Sequence, residues 1–253
     1  MKWMLLAAAI ALLVALELRS PGGEPFDQPR TASAAGVRND ANGTGPSALT
    51  MPADLLLYEG PDRDSWQKSE QIMDELRIAE RSRVADIGAG SGWFTVRLAR
   101  RVGPNGIVYA QDVQREMLDA IKRRVSREGL SQVREVLGQK DATNLPLRAL
   151  DAILIVDVYP ELDERVAFLR NLTESLKPHG RIGVVNYKPG AGGPGPAPER
   201  RFPSSVVEQD ARDARLRVLS TMDLRYQYVI VLGRGESSDR PSDPGTGPPG
   251  SGR

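Results

Sequence analysis

Short apolar runs alternate with amphipathic segments through the central part of this 253-residue chain. The apolar runs predict β-strands at residues 84–87, 106–112, 132–138, 150–157, 182–187, 218–222 and 226–232. Apolar side chains at helical spacing predict helices at residues 70–76, 95–100, 114–127, 165–176 and 204–214. The run at 150–157 is almost continuously apolar, as in a central parallel strand that is covered on both faces. Strands that alternate with helices in this way predict an α/β domain.

Three glycines alternate with other residues where the first predicted strand gives way to a helix. Residues 86–92 read D-I-G-A-G-S-G. Glycine permits a sharp turn, and it lets a ligand lie against main-chain N–H groups at a helix N-terminus. A dinucleotide fingerprint has its third glycine three residues after the second, whereas Gly92 follows Gly90 after two. Asp86 would repel a pyrophosphate but suits a cationic or zwitterionic group. The turn therefore predicts a nucleotide cofactor with such a group, and the alternative is a tight connection without a ligand.

A second acid stands at the end of the second predicted strand. Asp112 lies twenty residues beyond Gly92, at the place where α/β cofactor sites hold ribose hydroxyls. An isolated acid at a strand end is equally consistent with a solvated side chain. Together with Asp86 and the glycines, however, Asp112 predicts a contact with a ribose.

The pattern D-x-G-x-G-x-G resembles motif I of the class I S-adenosylmethionine (SAM)-dependent methyltransferases. The resemblance extends over residues 58–232. It implies a Rossmann-like α/β fold, with a seven-stranded, mostly parallel sheet flanked by helices and the last strand antiparallel. It also implies SAM as the cofactor, with its methionine end on the glycine turn, its ribose at Asp112 and its adenine at the acid after the third strand. The cofactor-binding residues that it implies are Asp86, Gly88, Ala89, Gly90, Gly92, Asp112, Val113, Asp141, Ala142 and Asp157.

The segment after the fourth predicted strand resembles motif IV of the same family. Residues 156–161 read V-D-V-Y-P-E, close to a bacterial set that reads V-D-V/T-Y-H. Pro160 stands where that set has histidine, so either Asp157 or Glu161 replaces that histidine or the activity has changed. The resemblance makes Asp157, Tyr159 and Glu161 the candidate catalytic residues.

Composition narrows the chemistry further. The formal net charge is +1 without a basic stripe, so nucleic acid is not an expected partner. The absence of cysteine excludes a disulfide framework, a thiolate nucleophile and cysteine-based metal sites. The single histidine, His179, stands in a segment that resembles a family turn on the far side of the sheet, so it is not expected to be catalytic. No metal site is predicted, and the expected partner is a small-molecule methyl acceptor.

The two ends of the chain differ from its centre. Residues 1–19 contain one lysine, an apolar run and then an acid, which predicts an export signal or a membrane anchor. Residues 20–52 and 235–253 are rich in Pro, Gly and Ser and predict a disordered linker and tail. The methyltransferase domain then occupies residues 53–234. We therefore expect the protein to be exported or anchored by its N-terminal segment and to contact a membrane only through that segment. The alternative is an inner-membrane anchor with the domain facing the cytoplasm.

Two further segments bear on the site. Tyr58 and Trp66 are candidates either for a lid over the cofactor or for packing against the sheet. The long Gly/Pro loop at 188–203 is a candidate acceptor lid, and Arg200 and Arg201 at its end either grip an anionic acceptor or form a solvated pair. The predicted function is methyl transfer to a small molecule. The alternatives are a SAM-binding protein without turnover, suggested by Pro160 and export, and an NAD-dependent oxidoreductase, which the glycine spacing disfavours.

Overall fold

The computed structural model describes residues 59–139 and 142–235. Two helices precede the sheet, α1 (Arg63–Gln67) and α2 (Ser69–Glu75). The elements that follow are β1 (Arg83–Ile87), α3 (Trp93–Val102), β2 (Ile107–Asp112), α4 (Arg115–Arg127), β3 (Val133–Leu137), β4 (Leu150–Val156), α5 (Arg165–Ser175), β5 (Leu176–Tyr187), α6 (Ser204–Asp213), β6 (Leu216–Asp223) and β7 (Gln227–Arg234). Short 3₁₀ turns lie at Tyr159–Glu161 and Pro198–Arg200.

The strands form one seven-stranded sheet in the order β3-β2-β1-β4-β5-β7-β6. Strands β1 to β5 are parallel, and β7 is antiparallel to both β5 and β6. The strand order reverses between β1 and β4. In open α/β sheets, ligands bind at such a switch point, in the crevice outside the carboxyl ends of the strands. The predicted fold and its antiparallel strand are confirmed.

Helices cover both faces of the sheet because alternate strand residues point to opposite sides. On one face, Val84 of β1 packs in a core with α2, α3 and α4. On the other face, Ala85 of β1 packs in a core with α5 and α6. Residues 153–155 of β4 are at most 1% exposed, which explains why this strand is apolar at nearly every position.

Strand β5 begins at Leu176, earlier than the apolar pattern indicated, and its pairing with β4 shifts register between Leu150 and Ala152. His179 is exposed in the first half of β5. It therefore lies towards the amino end of that strand, whereas the switch-point crevice lies at the carboxyl ends.

Several predictions fall outside the described residues. They are the N-terminal signal or anchor at 1–19, the linker at 20–52, the tail beyond Gly235, and the side chains of Tyr58 and Asp141. Within residues 59–139 and 142–235, no helix combines the length and the apolar character that crossing a membrane requires.

Candidate cofactor and active site

The glycine turn joins β1 to α3 through left-handed backbone. Gly88, Gly90 and Gly92 have φ values of +63°, +54° and +85°, a region that residues with a Cβ enter only at a cost. A Cβ on Gly88 would lie 2.2 Å from Cγ2 of Val158, which follows β4. The close approach places the glycine turn directly against the segment that carries the motif IV residues.

Asp112 holds this turn from the end of β2. Its Oδ2 accepts a hydrogen bond from the Gly90 N–H at 2.9 Å, and its Oδ1 accepts one from the Gln114 N–H at 2.9 Å. A carboxylate has about four lone-pair sites, so each oxygen can accept a second donor. The side chain is 6% exposed and faces the start of α3.

Asp86 lies deeper, near the carboxyl end of β1. It is 3% exposed, and its Oδ2 accepts a hydrogen bond from the Thr95 hydroxyl of α3 at 2.7 Å. Burial raises the pKa of the Asp86 carboxyl to about 7, although the Thr95 hydrogen bond and the charge of Arg63 oppose the increase. Its negative charge is therefore poorly stabilised in the protein and would be stabilised by a cationic ligand.

Asp157 directly follows β4, beside the glycine turn. Its φ of +58° is left-handed, and non-glycine residues in such strained backbone cluster at functional sites. The Gln227 amide of β7 donates to both Asp157 carboxylate oxygens at 3.0 Å. Burial raises the pKa of Asp157 to about 7, opposed by the charge of Arg63, the Gln227 hydrogen bond and the charge of Arg201. A carboxyl with this pKa can take up or release a proton near neutral pH.

Comparisons with known proteins relate this chain to methyltransferases. Residues 84–180 match a sequence family described as a methyltransferase domain. The chain is 26% identical over 125 residues to a demethylmenaquinone methyltransferase of Lactobacillus johnsonii, a match that covers 49% of this chain and 50% of that protein. It is 34% identical over 116 residues to an uncharacterised methyltransferase of Mycobacterium tuberculosis, covering 46% of this chain and 44% of that protein. The chain thus spans about half the length of the curated relatives it matches.

A solved structure extends the likeness over most of the fold. The SAM-dependent methyltransferase from Aquifex aeolicus superimposes with a TM-score of 0.67 at 27% identity, covering 71% of this chain and 97% of that chain. Residues 84–180 thus form a methyltransferase domain, and the fold is that of the class I SAM-dependent methyltransferases. The expected cofactor of this methyltransferase domain, SAM, follows from the same likeness, and the NAD-dependent alternative is not favoured.

The geometry of the methyltransferase domain fits SAM. The three left-handed glycines carry no side chain over the main-chain N–H groups before α3, and buried Asp86 supplies negative charge for a cationic group. Asp112 keeps acceptor capacity for ribose hydroxyls. Val113, the next residue, is 59% exposed, which leaves an apolar side chain at the cofactor edge of β2. Ala142, which is predicted to contact the adenine, exchanges backbone hydrogen bonds with Gln139 at 2.7 and 3.3 Å.

The structure does not bring all three candidate catalytic residues together. Tyr159 is fully buried in the core with α5 and α6, and its hydroxyl donates to Asp210 of α6 at 2.8 Å. Burial and this acidic neighbour raise the pKa of Tyr159 well above its ordinary value. Glu161 is half exposed and pairs with Arg200. These contacts assign Tyr159 to packing and Glu161 to a surface ion pair, and they leave Asp157 as the acid at the crevice.

Arg201 organises the long loop that precedes α6. Its guanidinium donates to the carbonyl oxygens of Pro196, Gly192 and Pro194 at 2.8, 2.9 and 3.4 Å, and the side chain is only 8% exposed. The interpretation as a solvated pair is therefore wrong for Arg201. The same guanidinium lies 5.2 Å from the ring centroid of Tyr187, so the loop is fastened beside the carboxyl end of β5.

Aromatic side chains line the same end of the sheet. Trp66 packs against Tyr187 and Tyr226, with ring centroids 6.1 and 5.8 Å apart. A Cβ on Gly195 would lie 2.5 Å from the Tyr187 ring, so the Gly/Pro loop lies directly on this cluster. Trp66 is 7% exposed. Of the two roles predicted for it, a lid over the cofactor or packing, the structure shows packing.

The segment from Glu59 to Gln67 lies against the glycine turn. Glu59 accepts hydrogen bonds from the Ser91 hydroxyl and from Arg124 of α4. Arg63 lies with its guanidinium carbon 4.2 Å from the ring centroid of Trp93, the first residue of α3. Sequence reasoning assigned no role to Arg63, Gln67 or Gln227. For Gln227 the available signal was a polar residue between Tyr226 and Tyr228 at the start of an apolar run, whereas Arg63 and Gln67 stand in a polar stretch that gives no such signal.

Proposed function

We propose that this protein transfers a methyl group from SAM to a small aromatic acceptor that bears a hydroxyl group, of the quinol or phenol class. The observation that carries the proposal is Asp157. It is a carboxylate in left-handed backbone beside the glycine turn, and it has a pKa of about 7. A general base is most effective when its pKa lies near the working pH.

Asp157 acts as the base for the acceptor. The acceptor hydroxyl gives its proton to the Asp157 carboxylate, and the electron pair left on oxygen makes that oxygen, or the conjugated ring carbon, nucleophilic. In transfer to oxygen, the proton on Asp157 is then released to solvent. In transfer to carbon, the methylated ring carbon loses its own proton to solvent and the oxygen regains the proton from Asp157, which restores the aromatic ring. SAM supplies an electrophilic methyl group on a sulfonium, and its loss leaves neutral S-adenosylhomocysteine. The glycine turn and Asp112 orient the cofactor, and orientation of this kind contributes about 7–11 kcal/mol to a barrier.

The surroundings of Asp157 support an aromatic acceptor. Trp66, Tyr187 and Tyr226 form a cluster at the same end of the sheet, and the loop fastened by Arg201 lies over it. Trp66 and Tyr187 are only 7% and 2% exposed, so the cluster is an apolar floor beneath the loop, and aromatic side chains favour edge and face contacts with another ring. The name of the Lactobacillus johnsonii relative, a demethylmenaquinone methyltransferase, points to the same acceptor class for the shared half of that protein.

Radiolabel transfer tests the proposal. The full chain is incubated with methyl-tritiated SAM and a panel of reduced demethylmenaquinone, catechols and simple phenols, and label is counted in the organic phase. The Asp157→Asn variant should lose transfer by about 10²–10⁴-fold, the usual contribution of a general base. Asp119→Asn, at an exposed position of α4, is the matched control and should retain it.

Two results would contradict the proposal. Transfer that persists undiminished in Asp157→Asn would remove Asp157 as the base. Binding of SAM without transfer to any acceptor of the panel would reject this acceptor class and favour the SAM-binding protein without turnover.

A further inference from the structure

A chain of buried side-chain hydrogen bonds leads from α1 to Asp157. Arg63 Nε donates to Gln67 Oε1, and Gln67 Nε2 donates to Gln227 Oε1 at 2.9 Å. Gln227 Nε2 then donates to both oxygens of Asp157 at 3.0 Å. Both glutamines have 0% exposure, and Arg63 has 6%. The chain therefore crosses the protein interior without a link through solvent.

The two ends of this chain set the orientation of both amides. A guanidinium has only donors and an ionised carboxylate has only acceptors. Gln67 must therefore turn its oxygen to Arg63 and its NH₂ to Gln227, which in turn presents its NH₂ to Asp157. Reversing either amide would bring two donors or two acceptors together in the interior, at a cost of about 1–3 kcal/mol for each group left unsatisfied.

Three structural elements fix the participants. Arg63 belongs to α1 and is held over Trp93 and Phe94 of α3, 4.2 and 5.7 Å from their ring centroids. Gln227 is the first residue of β7, and Asp157 directly follows β4. These side chains are therefore held in place by packing, and the Gln227 amide is a fixed hydrogen-bond donor on one side of the Asp157 carboxylate.

We propose that Gln67 and Gln227 are positioning residues, which hold the Asp157 carboxylate in one orientation and keep it in the acceptor state that removes a proton from the methyl acceptor. This inference rests on the proposed role of Asp157 as base. The charged and titratable groups that act on Asp157 are Arg63 from α1 and Arg201 from the loop after β5. Asp157 in turn affects Tyr228 on β7, where burial is the main cause that raises the tyrosine pKa to about 12.

An isosteric substitution at Gln67, two hydrogen bonds away from Asp157, tests whether this hydrogen-bond chain acts on the carboxylate. In Gln67→Glu, the new carboxylate accepts from Arg63 but has no hydrogen to give to Gln227. The Gln227 amide must then reverse and present its oxygen to Asp157, which favours the protonated carboxyl. The pKa of Asp157 should therefore rise by about one pH unit or more, equivalent to about a tenfold higher proton affinity.

The pKa of Asp157 can be measured without any acceptor. Carbon-13 NMR of the full chain labelled at aspartate carboxyl groups gives the titration, and the resonance missing in Asp157→Asn identifies the residue. The matched control is Gln71→Glu, which makes the same change at an exposed position of α2 and should leave the Asp157 titration in place.

A second variant separates polarity from added charge. Gln227→Leu removes the donor to Asp157 without introducing a charge, and it too should raise the Asp157 pKa. Near-ultraviolet circular dichroism and SAM titration report whether each variant keeps its fold. If the Asp157 pKa in folded Gln67→Glu and in folded Gln227→Leu equals that of the wild type, Gln67 and Gln227 are not positioning residues. If the Asp157 pKa rises in these variants but the wild-type protein transfers no label, the hydrogen-bond chain acts on Asp157 as proposed, whereas the proposed role of Asp157 as a base is wrong.

Discussion

Because of Asp86, the free energy of unfolding of this protein should fall as the pH rises from about 4 to 7. Its carboxyl is 3% exposed, and burial raises its pKa from an ordinary 3.8 to about 7. Between these values the unfolded chain has released the proton while the folded protein still holds it. Stability decreases with pH wherever the folded state binds more protons. The contribution is fully present below pH 3.8 and is lost as the pH rises through 7.

The Asp86→Asn variant removes this dependence. Asparagine stays neutral, and its side-chain oxygen can still accept from the Thr95 hydroxyl. One pH unit corresponds to about 1.4 kcal/mol, so the full interval between 3.8 and about 7 is worth about 4 kcal/mol for a group this buried. The same relation gives a loss of about 2–3 kcal/mol between pH 5 and pH 8. The variant should therefore gain stability relative to the wild type by about that amount over this range.

Urea unfolding at pH 5 and at pH 8 measures this difference directly. The Asp119→Asn variant, which removes an exposed carboxylate on α4, is the control and should stay within about 0.5 kcal/mol of the wild type at both values. A stability gap for Asp86→Asn that stays constant with pH, or that narrows towards pH 8, would refute the reasoning. The same variant should bind SAM more weakly, because the cationic group loses its buried counter-charge.

Other substitutions probe the turn, the core and the loop. Gly88→Ala should abolish SAM binding, measured by calorimetry, because the new Cβ collides with the segment after β4. Gly129 is also left-handed but has open space around it, so Gly129→Ala should only lower the free energy of unfolding in urea, by about 1–2 kcal/mol. Tyr159→Phe loses its hydrogen bond to Asp210 and should lower stability by about 1 kcal/mol; unchanged stability would argue against that bond. Arg201→Met removes three loop contacts, so proteinase K, which does not require Lys or Arg, should cleave the 188–203 loop faster than in the wild type.

The fold could be predicted from the sequence because its signals are local. Apolar runs, helical stripes and alternating glycines each act within one element, and they placed β1, β2 and the turn between β1 and α3 within a residue or two. Asp112 was predictable for the same reason, since the carboxyl end of β2 necessarily adjoins the carboxyl end of β1 in a parallel sheet. The Gly90 N–H donates to Asp112 across these two strand ends, and the contact of Asp112 with a ribose stays a prediction.

The polar network around Asp157 could not be predicted because it depends on contacts between distant parts of the chain. Gln67 and Gln227 are separated by 160 positions and meet only after α1 docks on the sheet. Arginine is rarely buried, so nothing in the sequence marked Arg63 or Arg201 as interior side chains. Tyr159 stands in a segment that resembles motif IV, yet its side chain turns into the core, a direction that residue spacing alone does not reveal.

Calorimetric titration of the full chain with SAM and S-adenosylhomocysteine tests the central claim most directly. The wild type should bind both, with dissociation constants on the order of micromolar. Asp112→Ala should weaken binding tenfold or more, because a hydrogen bond to a charged group contributes about 1.5–3 kcal/mol. Asp119→Ala, at an exposed acid on α4, should bind as the wild type does. A folded wild-type protein that binds neither ligand, or an Asp112→Ala variant that binds both unchanged, would contradict a SAM site at the glycine turn and Asp112.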